Sequence, residues 1–98
     1  MIFNSPTVQR YILSGAKLVA TIRKSGYYHA DKRVVMKVGG KRFYGKVVAT
    51  SPLTPFALGE YVDHSGFESV EEWVAEAERL HKGRVDPDKF EIVVVELL

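Results

Sequence analysis

Apolar and polar residues follow different rhythms along the chain, and each rhythm predicts a kind of element. Near the start, Ser5-Pro6 reads as a helix N-cap followed by proline at the first helical position. Val8, Tyr11 and Ile12 fall on one face of that helix, and Ser14-Gly15 ends it with a left-handed cap. Leu18 to Arg23 is rich enough in β-branched residues to be a strand. After the loop SGYYHAD, Val34 to Val38 predicts a second strand, and Gly39-Gly40 a tight hairpin turn into a third, Arg42 to Thr50. Gly45 inside that strand marks either a bulge or a bend where the sheet curves.

Past Pro52 the rhythm becomes helical. Thr54-Pro55 starts a short helix running to about His64, with Gly66 just beyond its end. Ser69 and Glu72 stand at capping-box spacing, each able to satisfy the other's orphan amide. Val70, Trp73, Val74, Ala77 and Leu80 then line one helix face, while Glu71, Glu72, Glu76 and Glu78 are expected in water. FEIVVVELL does not alternate, so it predicts a strand buried on both faces at Val93 to Val95. The order α-β-β-β-α-α-β, without repeats or linkers, makes residues 1–98 a single α+β domain. Its curved, mostly antiparallel sheet could close into a small β-barrel with flanking helices.

Composition narrows the chemistry. The chain has no cysteine, so disulfides, thiolate nucleophiles and Cys-ligated metal sites are excluded, and a cytoplasmic setting is expected. No apolar run approaches the roughly 18 residues of a membrane span. The stretch MIFNSPTVQR lacks the charged start and apolar core of a signal peptide.

The net charge of +2 conceals a sharp asymmetry. Residues 1–50 carry ten Lys or Arg against Asp31 alone, and residues 51–98 carry four against eleven acids, or +9 and −7. Either the halves interleave and neutralise one another, or the positive charges cluster and face an anionic partner such as nucleic acid.

Individual residues carry two readings each. Lys17, at the helix-to-strand turn, either favours the helix C-terminus or contacts a ligand. Thr21 is a strand former or a hydrogen-bond donor. Arg23 pairs with an acid of the C-terminal half, or its planar fork meets phosphate beside Lys24. Tyr27 and Tyr28 pack on the domain or stack on unpaired bases. Lys41-Arg42 reads as a solvated hairpin tip. His29, His64 and His81 have no second ligand at zinc-motif spacing, so no metal site is expected, nor any cofactor. VGGKR lacks the spacing of a phosphate-binding loop.

A helix ending ILSGAK, then TIRK, a small barrel, and GFESVEEW before a last strand resemble the ASCH domain of the PUA-like superfamily. The specific positions are Gly15, Lys17, Thr21 and Arg23, then Gly66-Phe67 opening the capped helix. ASCH domains read G-x-K-x-x-T-x-R; here Thr21 follows Lys17 by four positions, so the additional residue either flips a face or is absorbed by a bulge. The resemblance implies a PUA-like barrel that binds RNA in a basic cleft between the first helix and the barrel, with Lys17, Thr21, Arg23, Lys24, Tyr27, Tyr28 and Ser65 as contacts. It also implies an alternative, a hydrolase acting on RNA or a cytidine-like nucleoside such as N4-acetylcytidine, with Lys17 and Thr21 catalytic. Ser65 stands where the amidohydrolase pattern has a glutamate, and a serine hydroxyl does not titrate as a carboxylate does. A third reading makes the acidic helix a protein-contact surface.

Overall fold

The computed structural model describes residues 1–98. Its elements are β1 (Ile2–Phe3), α1 (Pro6–Leu13), β2 (Leu18–Lys24), β3 (Arg33–Val38), β4 (Lys41–Pro52), α2 (Pro55–Tyr61), a 3-10 turn over Val62–His64, α3 (Val70–His81) and β5 (Phe90–Leu97). All three helices start on a hydroxyl cap: Ser5 accepts from Val8 N, Thr54 from Ala57 N and Ser69 from Glu72 N. Only the Ser69 half of the expected capping box is formed. Lys82 closes α3 in the left-handed conformation, and Gly83 N reaches back to Glu78 O.

The strands form one sheet in the order β1-β3-β4-β5-β2. β1 joins β3 in parallel and every other pairing is antiparallel. β1 is absent from the order expected above, because two residues are too few to show a period. The sheet curls into a half-barrel whose two edges are β1 and β2.

Gly45 is not a bulge, since its pairing with Val34 and Leu97 is regular; the irregularity of β4 lies between Val47 and Ala49. A Cβ on Gly45 would stand 2.6 Å from a Val95 methyl and 3.1 Å from the Met36 sulfur. Glycine is needed there because the curled sheet brings core side chains onto the backbone.

β5 is the centre of the molecule. Val93 and Val95 face a core inside the curl with Phe3, Ile12, Val19, Val34, Met36, Val38 and Val47. Ile92 and Val94 face a second core, in which Leu53, Ala57, Leu58, Trp73 and Val85 bring α2, α3 and the loop after α3 onto the outer face. Trp73 is 3% exposed, as its spacing predicts, whereas Leu80 at the end of the same stripe is 42% exposed. Two of the four glutamates expected in water are engaged instead: Glu76 accepts from Ser5 Oγ, and Glu78 accepts from Val85 N. No helix is long and apolar enough to cross a membrane.

Two substitutions test this packing. Gly45→Ala should cost about 1–3 kcal/mol by overpacking, and Trp73→Ala about 3–5 kcal/mol through its cavity. Urea denaturation midpoints measure both, and a neutral Gly45→Ala would mean that the approach of Val95 is not tight.

Candidate functional site

Alternation along β2 points Thr21 and Arg23 to the same side of the sheet, at its free edge. Opposite that edge, across the open seam of the half-barrel, lies β1. The Arg23 guanidinium spans the seam: Nε donates to Thr21 Oγ1 at 3.1 Å and Nη2 donates to Ile2 O at 2.8 Å. Its carbon lies 4.7 Å from the centre of the Phe3 ring. No carboxylate meets it, because Arg79–Glu76 is the single ion pair of the chain. Burial pulls the Arg23 pKa below its ordinary value, and the Tyr28 phenol offsets this only in part. A half-buried cation whose partners are a hydroxyl, a carbonyl and a ring keeps its charge uncompensated.

Two concavities meet at Arg23 and Lys24. The first is a cleft of about 290 Å³ between the seam and α3. Phe3, Phe67, Trp73 and Phe90 are the aromatic part of its apolar wall, and Asn4, Ser5, Thr21, Arg23, Lys24, Glu76 and His81 are its polar groups. The second is a groove of about 380 Å³ lined by Arg23, Lys24, Tyr27, Tyr28 and Lys32. In that groove Tyr27 is 63% exposed, whereas Tyr28 is half-buried and packs on the inner core. Lys32 Nζ donates to Tyr27 O at 2.7 Å and stands 5.3 Å from the centre of the Tyr28 ring. The two tyrosines therefore divide the alternatives open to them: Tyr28 packs, and Tyr27 leaves its ring free.

Two residues expected at the site lie elsewhere. Lys17 is exposed at the opposite end of β2 from Lys24, roughly 23 Å away at about 3.3 Å per residue, and lines neither concavity. The β2–β5 register runs unbroken from Leu18 to Lys24, so no bulge absorbs the additional residue between Lys17 and Thr21. Ser65 is fully buried, with its hydroxyl donating to Val62 O at 2.6 Å and accepting from Phe67 N at 3.1 Å. It holds the turn into α3 and has no free face for a ligand. Beside it Gly66 has φ +90°, and a Cβ there would meet Tyr11 Cβ at 2.9 Å, so this turn packs directly on α1.

Glu76 was not foreseen as a site residue. Ser5 Oγ, the α1 cap, donates to Glu76 Oε2 at 2.8 Å and so ties α1 to α3 along one wall of the cleft. The two residues are 71 apart in sequence, a separation at which no local spacing signals contact. Hydrogen bonds from Arg79 and then Ser5 hold the Glu76 carboxyl below the ordinary glutamate range, against the opposing effect of burial. The one carboxylate in the cleft is therefore ionised at neutral pH. No three His, Asp or Glu side chains converge on a point that could hold a metal.

Fold and site together define a small α+β half-barrel protein with an unpaired cation at its seam. The chain belongs to the family of Uncharacterized protein 105 of Sulfolobus islandicus rod-shaped virus 1, with which it is 56% identical over 95 residues, 97% of this chain and 90% of that protein. No family model and no solved structure matches the chain.

The Ser5–Glu76 tie predicts an acid-labile contact between α1 and α3. Because the folded pKa of Glu76 is depressed, its contribution is complete above the ordinary glutamate value of about 4.3 and is lost as pH falls through the folded value. Thermal unfolding as a function of pH should show wild type ahead of Glu76→Gln at neutral pH and level with it in strong acid. Ser5→Ala, which also removes the cap, should cost about 0.5–2 kcal/mol. A stability gap to Glu76→Gln that persists unchanged in strong acid would show that the carboxylate charge plays no part.

Proposed function

We propose that this chain is a PUA-like module of ASCH type that binds single-stranded RNA in the cytoplasm, along the groove of Arg23, Lys24, Tyr27 and Lys32. The observation that carries the reading is Arg23: a partly desolvated guanidinium with no carboxylate, placed where groove and cleft meet. Phosphate would supply the missing counter-charge, and the fork of the guanidinium suits it. The exposed ring of Tyr27 offers a stacking surface for one unpaired base. The cleft, near the lower end of the ~300–1,000 Å³ range of small-molecule sites, has room for a single nucleoside-sized group beside Thr21.

Support for the hydrolase alternative is weaker. Amide hydrolysis needs a group that exchanges protons near neutral pH. Lys17 stands outside the cleft, Ser65 is buried, and Glu76 is held ionised by two hydrogen bonds. Thr21 Oγ1 already accepts from Arg23, which leaves its own proton free for a ligand but supplies no base.

Fluorescence anisotropy with a labelled RNA strand tests the binding reading. Affinity should fall with salt with a slope of about −0.7 per phosphate contacted. Lys24→Ala and Lys32→Ala should each weaken binding and reduce that slope by about one contact, and Tyr27→Ala should cost about 1–3 kcal/mol. An affinity that ignores salt would remove the electrostatic basis of the proposal. Separately, incubation with N4-acetylcytidine should give no detectable deacetylation, and robust turnover by the wild-type chain would promote the hydrolase.

A further inference from the structure

The β3–β4 hairpin carries a second cationic surface that shares no residue with the groove. Residues 33–46 include five Lys or Arg and no Asp or Glu. The register sets Arg33 opposite Lys46, Val35 opposite Tyr44, and Lys37 opposite Arg42. The burial of Val34, Met36 and Val38 on β3 and of Gly45 and Val47 on β4 turns these three pairs outward. Tyr44 is 61% exposed and Val35 40% exposed. None of the four cations makes a side-chain hydrogen bond or an ion pair; Glu96 stands in register with Lys46 on β5, and Asp31 lies two residues before Arg33.

Like charges directly opposite one another across a strand pair destabilise a sheet. Here two such pairs flank an exposed aromatic–aliphatic pair, with the cation rows about 13 Å apart, four residues at about 3.3 Å each. The like-charge pairs are unfavourable in the free protein, offset at Lys46 by Glu96, and a polyanion laid across both rows would relieve them. We propose that this sheet face is a second binding surface for single-stranded nucleic acid. Phosphates would lie on the Arg33–Lys46 and Lys37–Arg42 rows, and one unpaired base would stack on Tyr44 between them. An unpaired strand fits better than a duplex because an exposed ring between two cation rows can be covered only by a base that has left its stack. This surface stands independently of the groove at Arg23.

The double variant Arg33→Glu/Lys37→Glu separates function from stability, because it converts both like-charge pairs into opposite-charge pairs. Its melting temperature should be unchanged or raised by roughly a few degrees. Its affinity for a labelled single strand longer than either face, RNA and DNA in separate arms, should fall by about tenfold or more, with a salt slope lower by at least two contacts. Tyr44→Ser should weaken binding by about fivefold or more with little change in slope. Unchanged affinity and slope in the double variant would overturn the proposal. Loss of binding in Lys24→Ala and Tyr27→Ala alone would leave the groove and exclude the hairpin, and loss in the hairpin variants alone would do the reverse. Sedimentation provides the other arm: salt-sensitive self-association abolished by the double variant, with nucleic-acid binding intact, would make this face a contact for the acidic α3 of a second copy and overturn the proposal.

Discussion

The architecture depends on one constraint, that β5 must be buried on both faces. A strand reading Ile-Val-Val-Val has no polar side to offer water, so each face needs its own apolar cover. The sheet itself covers one face by curling around Val93 and Val95, and Gly45 permits that curl by leaving room for the Val95 side chain. Helices α2 and α3 cover the other face, with Trp73 as the largest contribution. Sheet curvature, helix placement and the central position of β5 are therefore consequences of a single solvation requirement.

A sheet of five strands curled around a small core brings its edges near each other without joining them. β1 is only two residues long and does not reach a ladder with β2. Arg23 bridges the remaining distance with a side chain where a strand pair would use backbone. That substitution has an electrical consequence, because a guanidinium that bonds a carbonyl and a hydroxyl is held in place but not neutralised.

The acids and bases of this chain are segregated in sequence and pair only once in the folded chain. With one ion pair among fourteen Lys or Arg and twelve Asp or Glu, folding does not use the opposite charges to neutralise each other. Most cations of the first half lie on β2, the following loop and the β3–β4 hairpin, and most acids on α3 and its approaches, although β5 sets Glu91 opposite Arg23 and Glu96 opposite Lys46.

Local signals in the sequence determined much of this fold. The three helix starts, the Gly39-Gly40 hairpin, the buried run of β5 and the inward face of Trp73 follow from spacings of four residues or fewer, where hydrogen-bond rings and side-chain periods are set by the chain itself. The cation-rich first half, with Asp31 as its single acid, was equally legible, whereas the sequence left open whether Arg23 and Tyr27 engage the domain itself or face a ligand. What the tertiary structure decided was which of these groups meet. Lys17 stands just before β2 and Arg23 near its far end, Ser65 turns inward to hold backbone, and Ser5 finds Glu76 from the far side of the chain. β1 exists only because β3 offers it an edge. Each of these depends on register and on what else fills the core, quantities that no short window of sequence contains.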